Sequence, residues 1–168
     1  MAHHIPDGDF VDYMTSRSLW LRRVAYLLCQ DWHQADDLAQ TAMTKLYSQW
    51  PRAREFDHLD AYLRTILVNT YLSETRRPWW KRLVSSEEAG ADLPAATIDL
   101  DTSLELRDAL TALPPRQRAT IVLRYYCDLS VQQTAEELGC SQGTVKSNTS
   151  RGLAALRLRL ESERGVIA

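Results

Sequence analysis

Ser130 to Gly152 reads "SVQQTAEELGCSQGTVKSNTSRG". Ser130 followed three residues later by Gln133 is a capping box, so a helix begins at Val131. Counting Val131 as position one, Ala135 is the fifth residue, Gly139 the ninth and Val145 the fifteenth. The fifth position needs a small side chain where a second helix crosses. The ninth favours glycine because the turn demands a positive φ. The fifteenth must be apolar to pack the second helix on the first. Ser141 supplies that second helix with an N-cap. The stretch is therefore predicted to form a helix-turn-helix. Val145, Leu153, Leu156 and Leu160 are its expected buried stripe, which turns Lys146, Ser147, Asn148, Ser150 and Arg151 outwards.

The charge pattern agrees with that geometry. The chain has 168 residues, a net charge of −2 and a pI near 6.1, so gross charge does not announce a nucleic-acid partner. Yet from Leu138 to Leu160 there is no Asp or Glu, while Lys146, Arg151, Arg157 and Arg159 are basic. A recognition helix lies in the major groove with its first turns at base edges. A carboxylate there meets the phosphate field, whereas lysine and arginine gain from counterion release. Gly143 costs ~1 kcal/mol of helix stability relative to alanine, and its missing side chain permits close approach to a phosphate. The competing reading is a solvated basic face on an ordinary helical hairpin. The conjunction of cap, Ala, Gly, Val and an acid-free helix is more specific than a basic run alone.

Outward from this stretch, helical spacing dominates and sustained strand alternation is missing, which predicts an all-α chain. Phe10, Tyr13, Met14, Leu21, Val24 and Leu28 suit one long helix. Leu38, Ala42, Met43, Leu46, Tyr47 and Trp50 suit a second, which Pro51 follows. Leu59, Tyr62, Leu63, Ile66, Leu67 and Tyr71 suit a third, ending before Pro78. Residues 83–102 carry five acids and no base, and read as a flexible linker between two small helical domains. Helices resume at a second capping box, Thr102 with Glu105, and again at Pro115, which fits a first helical position. Cys29, Cys127 and Cys140 form neither a disulfide framework nor a zinc spacing. Cys29 and His33 stand at i, i+4, the spacing of a shared helical face, but buried thiols in a reducing compartment are the favoured reading. No apolar run approaches membrane-spanning length, and no signal-peptide core is visible.

Two blocks carry a family resemblance. "DWHQADDLAQTAMTKLYSQW" (Asp31–Trp50) with "HLDAYLRTILVNTYLSETRR" (His58–Arg77) resembles region two of the extracytoplasmic-function sigma factors. "ALPPRQRATIVLRYYCDLSVQQTAEELGCSQGTVKSNTSRGLAALR" (Ala112–Arg157) resembles their region four. "TVKS" followed by "TSRGLA", and "AYLRTILVNTYLS" with "RRPWWKR", look like the sigma-E-type subfamily common in actinobacteria. The resemblance spans almost the whole chain in the right order. It implies a region-two domain over residues 8–82, a linker over 83–101 and a region-four domain over 102–164. It implies an alternative sigma factor that binds core RNA polymerase and directs promoter-specific initiation. Such a protein is not an enzyme, needs no cofactor or metal, and works in the cytoplasm without membrane insertion.

The implied roles fall on particular residues. Asp36, Asp37, Gln40 and Thr41 would dock on the clamp helices of the polymerase's largest subunit, while region four meets the flap of the second-largest. The acid pair also suits a helix N-terminus electrostatically. Arg52, Arg54 and Phe56 lie in the loop that captures a flipped base of the minus-ten element. Arg64, Asn69, Arg76 and Arg77 lie on or just after the helix beside it. Trp79 and Trp80, flanked by Lys81 and Arg82, suit single-strand stacking or interface packing. Ser141, Thr144, Lys146, Ser147, Asn148, Ser150 and Arg151 would meet the minus-thirty-five element. The acidic linker would thread toward the active-site cleft, and an anti-sigma factor is a further candidate partner. Ser73 and Glu74 stand where many members have Asp and Arg, which leaves the direction of Glu74 open. Asn148 and Thr149 stand where many have Arg and an aliphatic residue; asparagine pairs with adenine or makes a short phosphate contact.

The strongest rival is a regulator of the response-regulator or quorum type, whose C-terminal domain also contains "TVK" and which acts without being a polymerase subunit. The N-terminal half lacks a receiver-like α/β pattern or a sensor domain. A helical adaptor or anti-sigma-like binder leaves the acid-free helix unexplained. No nucleophile–His–acid set or phosphate loop supports an enzyme.

Overall fold

The computed structural model of the chain describes residues 8–76 and 104–165. Among them are only helices and their connections: α1 (Gly8–Cys29), α2 (Trp32–Ser48), α3 (Trp50–Ala53), α4 (Leu59–Thr75), α5 (Leu104–Thr111), α6 (Pro115–Ile121), α7 (Val131–Leu138) and α8 (Gln142–Gly165). The chain leaves α6 through a π-helical turn, Val122–Tyr126. Thr102 and the acidic stretch 83–101 lie outside the described residues.

The first half closes around Leu21, Val24 and Leu28 of α1, Leu38, Ala42 and Leu46 of α2, and Leu63, Leu67 and Tyr71 of α4, all buried. These are the apolar positions that the 3.6-residue period selects. Between α1 and α2, Gln30 takes a positive φ of 54°. Asp31 then caps α2, its carboxylate accepting from the His33 and Gln34 amides at 2.8 and 3.1 Å. Cys29 and His33 do not share a helical face, because the chain turns between them. The single Cys29 thiol proton has two acceptors in reach, the carbonyls of Ala25 and Asp31. Burial pushes Cys29 up to about 12 and Cys127 up to about 11, so both stay protonated and poorly nucleophilic at neutral pH.

The second helix stops earlier than its apolar pattern. Gln49 ends α2, its amide donating to the Leu46 and Tyr47 carbonyls, and Trp50 opens the single turn of α3 with Pro51 behind it. Trp50 still reaches the core, edge-on to Phe10 with centroids 5.2 Å apart and 5.8 Å from Tyr13.

In the second half, Pro115 is the first residue of α6. The Ser130 hydroxyl accepts from the Gln133 amide at 3.0 Å, and the Gln133 side chain accepts from the Ser130 amide at 2.9 Å. Gly139 has φ 63°. Val145 is fully buried. The buried stripe of α8 differs from the expected one: it runs Val145, Gly152 and Leu156, while Leu153 is 37% exposed. Seven residues make nearly two turns, so Gly152 lies within about 20° of Val145, and Leu153 stands roughly 80° away from it. Gly152 is where α8 crosses α6. A Cβ there would fall 2.9 Å from Cγ1 of Ile121.

The halves pack on each other through two arginines. Arg118 of α6 donates at 2.8 Å to the Leu28 carbonyl in the last turn of α1, and at 3.0 and 2.9 Å to the Thr111 and Leu113 carbonyls. One guanidinium thus serves orphan carbonyls at two helix C-termini, where a cation is also favoured by the helix dipole. Arg64 of α4 meets Glu137 of α7, with Nε at 3.0 and 2.9 Å from the two carboxylate oxygens. Among the described residues, no helix is long and apolar enough to cross a membrane.

Candidate nucleic-acid and polymerase interface

The start of α8 presents a narrow, small-residue crest. Gly143, Thr144, Ser147, Ser150 and Arg151 share one side at 100° per residue, opposite Val145, Gly152 and Leu156. Lys146 and Asn148 lie about 100° to either side of Ser147; Lys146 is exposed and Asn148 half-buried. Ser141 is occupied as the cap: its hydroxyl accepts from the Thr144 amide at 3.1 Å and bonds the Thr144 hydroxyl at 2.9 Å. Ser141 and Thr144 therefore fix the entry of the helix, and Arg151 and Lys146 project from it.

On α4, Asn69, Ser73 and Arg76 are exposed along one face. Tyr62 belongs to this face, seven residues before Asn69, and stands edge-on to the 39% exposed Phe56 at 5.1 Å. Sequence reasoning missed Tyr62 because its apolar ring was counted with the core; the seven-residue spacing from Asn69 was the available signal. Arg64 is set apart from Asn69 by about 140° around the helix. Glu74 is exposed but lies about 140° from Asn69 in the other sense, so its charge stands off this face. Arg52 is exposed in α3. Arg54 is paired with Asp9 at 2.6 Å. Arg77, Trp79, Trp80, Lys81 and Arg82 lie outside the described residues.

The buried side of α4 carries a charged network. Asp60 accepts from Tyr13 and Arg17, each at 2.7 Å. Burial alone would raise the Asp60 carboxyl, but the Arg17 and Tyr13 hydrogen bonds, with the Arg17 and Arg64 charges, outweigh it and hold it below its ordinary value. Burial likewise opposes the charge of Arg64, and the Glu137 hydrogen bonds and charge override it. The Arg64 guanidinium also sits 6.0 Å from the Trp20 ring centre.

On α2, Asp37, Gln40 and Thr41 share a face, joined by Thr44 seven residues after Asp37. Asp36 lies on the flank of this face. It binds Arg22 through both carboxylate oxygens, and that guanidinium lies 4.6 Å from the Trp32 ring centre. Asp36 is thus half-buried and paired within the fold, whereas Asp37 and Gln40 are exposed.

The described residues thus form two helical units, the second ending in a helix-turn-helix, with exposed polar faces on α2, α4 and α8. Residues 14–81 match Sigma-70 region 2, and residues 103–156 match Sigma-70 region 4. The RNA polymerase sigma-E factor of Streptomyces avermitilis is 38% identical over 159 residues, covering 92% of this chain and 86% of that protein. Its Streptomyces coelicolor counterpart is 37% identical, covering 90% and 86%. The ECF sigma factor SigL of Mycobacterium tuberculosis is 32% identical, covering 85% and 82%. Among solved structures, the sigma factor RpoE in complex with the anti-sigma factor NepR from Bartonella quintana is similar with a TM-score of 0.69 and 26% identity, covering 92% of this chain and 98% of that one. CnrH in complex with the cytosolic domain of CnrY shares the fold at a TM-score of 0.60 and 19% identity. The chain belongs to the RNA polymerase sigma factors. Within them it is of the extracytoplasmic-function, sigma-E type, an alternative sigma factor directing transcription.

Proposed function

We propose that the chain docks on the clamp helices of core RNA polymerase through the α2 face of Asp37, Gln40 and Thr41. The α8 crest and its Lys146 and Asn148 flanks read the minus-thirty-five element, with region four seated on the flap. The minus-ten element meets Arg52, Phe56, Asn69 and Arg76, with Tyr62 added to that face. The observation that carries this reading is the acid-free, exposed crest of α8 in one chain with an exposed acid-amide face on α2. A basic partner helix is matched by the second, and a phosphate backbone by the first. The boundaries 8–82, 83–101 and 102–164 divide the chain into these working parts. The site of action is the cytoplasm. An anti-sigma factor is a third partner, in keeping with RpoE and CnrH.

Purified chain mixed with core polymerase is expected to support run-off transcription from a cognate promoter, identified by sequencing polymerase-bound DNA. Duplex binding as a dimer, with no polymerase association, would favour the quorum-type regulator instead. Arg151→Ala is expected to weaken minus-thirty-five-dependent binding by about 1–3 kcal/mol if the guanidinium pairs bidentately with a base. Lys146→Ala should weaken binding to all sequences alike and flatten the salt dependence by about one unit of slope. Unchanged activity and salt slope in both variants would remove α8 from the interface. Asp37→Arg is expected to abolish polymerase association while circular dichroism and melting temperature stay near wild type, because the side chain is exposed. Normal polymerase affinity in that variant would remove the α2 face from the docking surface.

A further inference from the structure

The segment that carries Arg54 has little net positive charge for a surface that meets nucleic acid. Over residues 52–57, Arg52 and Arg54 are balanced by Glu55 and Asp57, and all four are exposed. Asp9, from the first turn of α1, then closes on Arg54: its Oδ2 accepts from Nη2 at 2.6 Å. A guanidinium matched by a carboxylate brings no net charge to a phosphate, and so releases no counterion on contact.

The position of Asp9 is fixed by its neighbour. The Phe10 ring packs on Tyr47 and Trp50, with centroids 4.9 and 5.2 Å away, so the first turn of α1 stays seated against the start of α3. Asp9 therefore does not swing away when another anion approaches Arg54. A phosphate on the same guanidinium would stand well inside the Debye length of about 8 Å from the carboxylate, where salt screens their repulsion weakly. A second pair made by α1 differs in kind. Arg17 meets Asp60, which also accepts from Tyr13 and is held below its ordinary value, and that network fastens α1 to α4. Asp9 is the more exposed acid, 67% against 45% for Asp60. Exposed pairs contribute little to stability, so stability alone does not account for this one. An acid in a first helical turn also suits the helix dipole, but that role needs no arginine 45 residues away.

We propose that Asp9 is an internal stand-in for a phosphate: it occupies Arg54 and so limits the sequence-independent hold of the minus-ten face on nucleic acid. Binding at this end of the face then leans on the Phe56 and Tyr62 rings, which serve an unpaired base and not a stacked duplex. The inference rests on the minus-ten reading of this face under the proposed function.

The test uses holoenzyme reconstituted from core polymerase and the full chain. Its affinity for a single-stranded oligonucleotide of the non-template minus-ten sequence, and for one of scrambled sequence, is measured by fluorescence anisotropy over a range of salt. Asp9→Asn is expected to bind both several-fold more tightly, with a salt slope steeper by about 0.7, the value for one added phosphate on a single strand. The change keeps the side-chain shape at an exposed site, and circular dichroism checks that helicity is native. Asp9→Glu keeps the charge and should retain the wild-type slope. Asp9→Asn combined with Arg54→Gln should lose the gain, which ties it to this guanidinium. An unchanged slope in Asp9→Asn, with at most a lowered melting temperature, would assign Asp9 to the helix dipole and overturn the inference. A gain that survives Arg54→Gln would overturn it as well. Phe56→Ala separates the inference from the reading beneath it. Weaker binding of the minus-ten strand in that variant supports the minus-ten surface whatever Asp9 does, and undiminished binding overturns that surface.

Discussion

Trp50→Ala is expected to cost the N-terminal half about 3–5 kcal/mol, the range for truncating a large buried aromatic. The ring is only 5% exposed, and it is the hub of a cluster with Phe10 and Tyr13. It is also the first residue of α3, so its removal frees the segment that carries Arg52, Arg54 and Phe56. The variant should show a lowered urea midpoint and loss of minus-ten-dependent promoter melting, with polymerase docking through α2 lost only where the half unfolds. Trp50→Phe keeps most of the apolar contact and should recover most of the stability. A cost below about 1 kcal/mol for Trp50→Ala would mean that α3 is held by something other than this ring, since such truncations in a core seldom cost so little.

Gly152→Leu is expected to destabilise the helix-turn-helix by about 3 kcal/mol, at the upper end for overpacking. The first added carbon already falls 2.9 Å from Cγ1 of Ile121, itself buried, and three more carbons follow. Leucine's better helix propensity returns no more than ~1 kcal/mol. Gly152→Ala stops at that first carbon, so strain and propensity nearly cancel, and the change should stay within about 1 kcal/mol. The cause is checked by a double-mutant cycle. Ile121→Ala alone opens a cavity, but combined with Gly152→Leu it should give a favourable coupling of at least about 1 kcal/mol. Additive behaviour would show that α8 does not meet α6 at this point.

These two sites also mark where sequence reading ends. The capping box at Ser130, the positive φ at Gly139 and the burial of Val145 were legible because each is decided by chemistry within a few residues. Gly152 was not legible. A stripe sought among apolar letters passes over glycine and settles on Leu153, although helix geometry favours the glycine. The end of α2 was misplaced for a related reason: Trp50 continues the apolar pattern, but Gln49 breaks the helix and the tryptophan reaches the core from a new turn. The polar faces of α2 and α8 could be found by helical arithmetic. The positions of Asp36 and Arg64 could not, because a charged residue reads as outward-facing until its partner is seen. Arg22 stands 14 residues from Asp36, and Glu137 stands 73 from Arg64.

The small side chains along the crest of α8 bear on how recognition is shared between protein and enzyme. With Gly143, Ser147 and Ser150 lining the helix and only Arg151 and Lys146 cationic near its start, few counterions are released on contact. Two neutralised phosphates correspond to a salt slope of only about −1.8, too shallow for firm hold on duplex at physiological ionic strength. A weak reader becomes effective when carried on something already bound nearby, where the local concentration of a tethered site reaches the millimolar range. Under the proposed function, the polymerase supplies the residence time and α8 supplies the choice of address. Low intrinsic affinity then lets the helix let go once transcription has begun.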